Sequence, residues 1–138
     1  MTAKNQQTGM RGVFLVAAEL AGRGFVVCPT SRSAFGADLL VTALDCRRAF
    51  SVQIKTNATS GSFWLLNKHA KRLTSPSHVY VFVNLSKNGR SPEYYVVPSR
   101  VVAKYMYTQR RPSSTWYSFA RDEAKRYRNR WNIFGRST

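Results

Sequence analysis

The stretch ADLLVTALDCRRAFSVQIKTN, residues 37–57, decides the fold. Its first part, residues 37–44, is a short apolar run that predicts a strand. The polar residues 45–48 predict a turn. Its last part, residues 49–56, alternates apolar and polar side chains, as a half-buried strand does. The stretch therefore predicts two neighbouring strands of a sheet joined by a short turn.

The segment before this stretch predicts a helix and one more strand. Residues 12–22, GVFLVAAELAG, are apolar at almost every position, which is typical of a buried helix. Arg23 and Gly24 favour the end of that helix, and FVVC at 25–28 predicts a short buried strand. Residues 1–9 are polar, and we expect a flexible terminus there. The first 57 residues thus predict a helix followed by a meander of three strands.

The second half of the chain predicts more strands and then helices. We expect strands at 62–66, 78–85 and 93–98, a brief basic helix at 67–73, a helix at 100–107 after the N-cap residue Ser99, a linker at 109–114 and a last helix at about 117–130. We find no internal repeat and no second domain. The whole pattern predicts a single α/β domain, residues 1–138, with a mixed central sheet flanked by helices.

Alternation along the third strand places polar groups on one face of the sheet. Val52 and Ile54 point one way, and Gln53 and Lys55 point the other way. An amide and an ammonium group are not left unpaired in an apolar interior. Asp38 opens the preceding strand, and a meander brings it close to Gln53. The sequence therefore predicts a carboxylate, an amide oxygen and a lysine on a common surface.

This combination suits phosphodiester hydrolysis. Mg²⁺ or Mn²⁺ prefers oxygen ligands, and Asp38, the Gln53 side chain and the backbone carbonyl of Ile54 could supply three. A bound ion lowers the pKa of a water molecule and neutralises charge on the phosphate. Lys55 could orient that water or stabilise the developing negative charge.

Asp38 followed by Gln53, Ile54 and Lys55 resembles the motif of the PD-(D/E)XK nucleases, and residues 12–57 resemble the core of that superfamily. In Holliday junction resolvases and related members a glutamate on the first helix joins the site, and Glu19 takes the corresponding place. Two departures stand out. Ala37 replaces the proline, and Gln53 replaces the second acid, as in QxK variants that include homing-endonuclease-like members. An amide binds Mg²⁺ more weakly than a carboxylate.

The resemblance implies a restriction-endonuclease-like αβββαβ core and a metal-dependent endonuclease acting on DNA. Its catalytic residues would be Glu19, Asp38, Gln53 and Lys55, with Glu19 assisting the metal ligands. By analogy with small nucleases that cut both strands, we also expect a homodimer.

The charge of the chain indicates a polyanionic partner. Twenty-two Lys and Arg face six Asp and Glu, for a net charge of +16. Contacts with phosphate position a protein on nucleic acid without specifying sequence. The candidate contacts form a face of the last predicted helix, a patch after residue 67 and a loop before Asp38: Arg121, Lys125, Arg128, Lys68, Lys71, Arg72, Arg32 and Ser33.

Several other classes of protein are disfavoured. No apolar run approaches the roughly 20 residues of a membrane-spanning helix, and the N-terminus lacks an apolar signal core, so we expect a soluble, cytoplasmic protein. Two buried, reduced thiols are a better expectation for Cys28 and Cys46 than a disulfide. His69 and His78 lie far from either cysteine, and no zinc motif is visible.

Aromatic residues could stack on bases, but we expect most of them in the core. This expectation covers Phe63, Trp64, Tyr80, Trp116 and Trp131.

Two other functions remain open: a non-catalytic nucleic-acid-binding protein that keeps the nuclease fold, and a basic structural protein of a ribonucleoprotein. The sequence leaves duplex, branched and single-stranded DNA, and RNA, as possible substrates.

Overall fold

The computed structural model describes residues 2–31 and 36–138. A long N-terminal helix is followed by two sheets and by short helical segments. In chain order these are α1 (Ala3–Gly22), β1 (Val26–Pro29), β2 (Leu39–Thr42), β3 (Ala49–Asn57), β4 (Phe63–Leu66), a 3-10 helix (Lys68–Lys71), β5 (His78–Asn84), β6 (Glu93–Pro98), α2 (Ser99–Tyr105), β7 (Tyr107–Arg110), β8 (Thr115–Ala120), α3 (Arg121–Ala124) and two 3-10 helices (Lys125–Tyr127 and Trp131–Phe134).

Helix α1 begins at Ala3, well before the apolar run, so the expectation of a flexible segment through residue 9 is wrong. The Thr2 hydroxyl accepts a hydrogen bond from the Asn5 backbone N–H at 3.2 Å and caps the helix. Gly12 is buried where α1 crosses β3, and a Cβ at this position would collide with the side chain of Thr56. A glycine is therefore required for this close approach. Within the described part of the chain, no helix is long and apolar enough to cross a membrane.

A five-stranded sheet forms the centre of the molecule, in the order β1-β2-β3-β5-β6. The β1–β2–β3 meander is antiparallel, β3 and β5 are parallel, and β5 and β6 form an antiparallel hairpin. The mixed central sheet predicted from the sequence is confirmed.

Each face of this sheet carries its own core. The core between α1 and the sheet is formed by side chains from α1, β2, β3, β5 and the C-terminal 3-10 helix. Its fully or almost fully buried residues include Val16, Leu20, Val52, Val81 and Phe134. The opposite face is covered by α2 and a second sheet, and its buried residues include Trp64, Tyr80, Phe82, Tyr95 and Phe119. The central sheet is thus the middle layer of three.

The sequence did not predict the second sheet. It has the order β4-β8-β7, with both pairings antiparallel. The prediction of a linker at 109–114 and a helix at 117–130 is wrong, because residues 115–120 form β8, which pairs with β4 and with β7. Phe119 pairs with Trp64, and both are buried against the central sheet. Ala120 and Ala124 are four residues apart, as on one face of a helix, but Ala120 ends β8 and α3 spans only four residues.

Both cysteines are free, as expected, but their predicted burial is wrong. Cys28 on the edge strand β1 and Cys46 in the β2–β3 turn are exposed.

Candidate active site

The start of β2 fixes Asp38 beside β3. Its backbone N–H donates to the Val52 carbonyl at 2.7 Å, which continues the ladder in which Leu39 pairs with Val52. The β2 strand begins one residue later. The Asp38 side chain can therefore lie along the edge of β3 at the point where β2 no longer covers it.

The Asp38 carboxylate binds two groups of β3. Oδ2 accepts a hydrogen bond from the Ile54 backbone N–H at 2.7 Å and one from the Gln53 side-chain Nε2 at 3.3 Å. The structure thus brings Asp38 and Gln53 into direct contact. The contact with a backbone N–H fixes the orientation of the carboxylate, because β3 is held on its other side by β5.

Lys55 is the third residue of the candidate site, beside Asp38 and Gln53. Gln53 and Lys55 lie on the face opposite Val52 and Ile54, which are buried under α1. Burial raises the pKa of the Asp38 carboxyl, whereas the Ile54 N–H and the charge of Lys55 act to lower it. Burial also lowers the pKa of Lys55, and the charge of Asp38 opposes that shift. Two half-buried groups of opposite charge therefore interact beside a neutral amide.

The oxygen atoms at this place fit a hard cation, but they carry little charge. The Ile54 carbonyl lies on the same edge of β3 as the Ile54 N–H that binds Asp38, since the two groups of one residue in a strand point the same way. With the Asp38 carboxylate and the Gln53 amide oxygen it gives three oxygen donors and one negative charge. Within residues 2–31 and 36–138, no group of three His, Cys, Asp or Glu side chains could hold a metal ion.

The structure does not bring Glu19 to this group. Glu19 binds Arg23 at 3.3 Å, one turn further along α1, and its side chain is 40% exposed. Helix α1 covers the Val52 and Ile54 face of the sheet, whereas Gln53 lies on the other face. The expectation that Glu19 assists the metal ligands is therefore corrected, because its position along the sequence did not reveal which face of the sheet the helix covers.

A Ser–His pair, which the sequence did not predict, lies beside Asp38, Gln53 and Lys55. The Ser51 hydroxyl and His78 Nδ1 are 2.7 Å apart, and the His78 ring packs edge-on against Tyr80. Within the described residues His78 Nε2 is buried without a hydrogen-bond partner. The parallel register, which pairs Ser51 with His78 and Gln53 with Tyr80, creates this neighbourhood. Sequence patterns do not specify such a register between distant strands.

The basic residues expected on one helix face are instead bound to acids. Arg121 and Arg128 both contact Glu93, at 3.2 and 3.6 Å, and Lys125 contacts Asp122 at 2.8 Å. The predicted basic face of a last helix is therefore wrong, because β8 and short helical segments replace that helix.

Three of the other basic candidates are exposed, and the remaining two candidates lie outside the part of the chain that the structure describes. Lys68, Lys71 and Arg72 are exposed on the 3-10 helix after β4 and its C-terminal end. Arg32 and Ser33 lie outside the described residues.

The aromatic residues split into two groups. Trp64, Tyr80 and Trp131 are core residues, as expected. Phe63 and Trp116 are exposed, so that expectation is wrong for these two. The polar Ser118 between the aromatic Tyr117 and Phe119 is the signal that could have identified a strand, with Trp116 on the outward face of Ser118.

The comparison with solved structures supports the fold. No protein-family model and no curated protein matches the chain. Among solved structures, the chain is similar to Hjc, a Holliday junction resolvase from the archaeal hyperthermophile Archaeoglobus fulgidus. The TM-score is 0.51 at 11% sequence identity, over 85% of this chain and 87% of that chain. The likeness confirms the predicted fold class, an α/β domain with a mixed central sheet flanked by helices.

Proposed function

We propose that the chain is a metal-dependent endonuclease that hydrolyses phosphodiester bonds in DNA. The observation that carries the proposal is the contact between Asp38 and the Gln53 side chain, with Lys55 on the same face of β3. The similarity in fold to a Holliday junction resolvase supports a reaction on DNA, by analogy of fold.

Each residue of the group has a role. Asp38, the Gln53 amide oxygen and the Ile54 carbonyl would hold Mg²⁺ or Mn²⁺. A divalent ion, when bound, supplies a water of lowered pKa and neutralises charge on the phosphate. Lys55 orients the attacking water and stabilises negative charge that develops on the phosphate. Its half-burial strengthens this interaction, because a site with little water screens charge weakly.

The charge of the surface supports a nucleic-acid substrate. The chain has 22 Lys and Arg against six Asp and Glu, so its net charge of +16 has no acidic counterpart in the chain. Lys68, Lys71 and Arg72 would contact phosphates, and the assignment of Arg32 and Ser33 to the same task stays a prediction. Cleavage of both strands would use two copies of the chain, and this homodimer is also a prediction.

One observation favours the second candidate, a nucleic-acid-binding protein without catalysis. The donor set of the site contains a single carboxylate, since Gln53 stands where a second acid would bind the ion more tightly.

Cleavage assays decide between the two functions. Supercoiled, branched and single-stranded DNA are incubated with Mg²⁺ or Mn²⁺, using the wild-type chain, Lys55→Met and the matched variant Lys4→Met, which changes an exposed lysine at the start of α1. We expect cleavage by the wild type and by Lys4→Met, and a rate lowered by about 100-fold or more in Lys55→Met. Cleavage that survives in Lys55→Met comes from a contaminant. Absence of cleavage, together with no metal binding in calorimetry, supports the second candidate.

A further inference from the structure

The outer face of the second sheet is an exposed aromatic surface. Four large apolar side chains, each between 43% and 61% exposed, lie on this sheet: Phe63, Leu65, Tyr107 and Trp116. The register places them on one side, because Leu65 and Tyr107 both pair with Ser118, Phe63 pairs with Ala120, and residues 116, 118 and 120 of β8 share a face. We call these four residues the outer face. Their neighbours in the strands, Trp64 and Phe119, fill the core below.

Cationic groups are part of this surface. The Arg111 guanidinium lies over the Trp116 ring, 5.1 Å from its centroid, and the Trp116 indole N–H donates to the Ser114 hydroxyl. Arg111 belongs to the turn between β7 and β8, so its charge lies at one end of the outer face. The outer face together with Arg111 therefore combines aromatic rings with positive charge, the two features that bind unpaired nucleic acid.

The outer face also connects to the candidate active site. The Asn57 side-chain N–H₂ donates to the Phe63 carbonyl at 2.8 Å, and Asn57 follows Lys55 by two residues at the end of β3. The second sheet packs on the same side of the central sheet that carries Gln53 and Lys55. A nucleic-acid strand lying on the outer face would pass around the β4 edge of the second sheet to reach β3.

We infer that the outer face binds an unpaired DNA strand by stacking bases on Tyr107, Trp116 and Phe63, while Arg111 contacts the strand's phosphates. This inference rests on the proposed function for its choice of DNA, and it adds single-stranded character to the substrate. Two β-strand spacings separate Leu65 and Tyr107 by about 10 Å, so the face is wide enough for one strand of DNA. A second copy of the chain fits this surface poorly, because in a two-fold contact the Arg111 guanidinium groups over the two Trp116 rings would approach and repel each other.

Binding is measured by fluorescence anisotropy in EDTA, with a labelled single strand of about 20 nucleotides and a blunt duplex of the same sequence at one salt concentration. The variants are Tyr107→Ser with Trp116→Ser, the conservative Tyr107→Phe, and the matched control Phe14→Ser. Phe14 is 58% exposed and lies on α1, across the central sheet from the outer face. All these side chains are exposed, so we expect the variants to fold, and circular dichroism checks this.

We expect the single strand to bind more tightly than the duplex, and the double variant to lose about tenfold or more of that affinity. Tyr107→Phe and Phe14→Ser should bind like the wild type. Unchanged affinity in the double variant overturns the inference, as does tighter binding of the duplex. A dimer in sedimentation that dissociates in the double variant also overturns it, since the face would then join two copies.

The two proposals fail separately. A chain that cuts DNA, but whose single-strand affinity is unaffected by the double variant, overturns only the inference. A chain that never cuts, but loses single-strand affinity in the double variant, overturns only the proposed endonuclease.

Discussion

The candidate active site and the outer face lie on the same side of the central sheet, but they hold their functional groups in opposite ways. Asp38 and Gln53 are half-buried and hydrogen-bonded to each other or to the backbone, and Lys55 is half-buried on the same face of β3. Tyr107 and Trp116 are exposed side chains on a rigid sheet. The difference matches the two proposals, because fixed polar groups in a partly dry site suit chemistry and exposed rings suit binding.

The substitution with the largest expected effect tests whether cleavage at the candidate active site is independent of binding at the outer face. Asp38→Asn keeps the shape of the side chain and an oxygen that can accept from the Ile54 N–H, but it removes the negative charge. We expect cleavage to fall by about 100- to 1,000-fold, while single-strand DNA affinity in EDTA changes less than about twofold. Single-turnover cleavage and anisotropy measure the two quantities. Equal losses in both would show that the two regions act as one site.

A glutamine in each region allows a matched comparison with an intermediate effect. Gln53→Glu adds a carboxylate to the donor set, and we expect about tenfold faster cleavage at low Mg²⁺ and tighter Mg²⁺ binding in calorimetry. Without divalent ions its repulsion with Asp38 should lower the free energy of unfolding by on the order of 1 kcal/mol.

Gln109→Glu places the same change next to Trp116, with which Gln109 pairs across the β7–β8 ladder. We expect single-strand affinity to fall by about threefold and metal binding to stay unchanged. If Gln53→Glu and Gln109→Glu change the same measurement, the candidate active site and the outer face do not have separate functions.

The smallest expected effect concerns pH. Burial lowers the pKa of His78 below its usual value of 6.5, and the hydrogen bond with Ser51 opposes this shift. The folded state therefore favours the neutral ring. The contribution of the neutral His78 ring to stability is complete above about pH 6.5, and it is lost as the pH falls through the lowered pKa. The outer face contains only Phe, Leu, Tyr and Trp, which do not titrate in this range.

Urea unfolding near pH 7.5 and near pH 5 checks this expectation. The free energy of unfolding should fall at the lower pH in the wild type, and the fall should be smaller in His78→Phe. An identical fall in both proteins would assign the pH dependence to other groups.

The sequence predicted the first 57 residues better than the last 30. In the first part, the α1–β1–β2–β3 order follows from apolar runs and from alternation within single segments, and the order is as expected. In the last part, Ala120, Ala124 and Tyr127 have helical spacing, yet residues 115–120 form a strand because β4 and β7 offer it partners on both sides. Pairing with distant strands overrides a weak local preference.

The sequence by itself determined the mixed α/β fold and the nearness of Asp38 to Gln53, because one turn joins the two strands and alternation sets which side chains share a face. Only the tertiary structure decided that Glu19 lies across the sheet from the site, that Glu93 binds two arginines of the expected basic face, and that Tyr107 and Trp116 remain exposed. These facts depend on how segments far apart in the chain pack, and the periodicity of one segment carries no information about which partner will cover it.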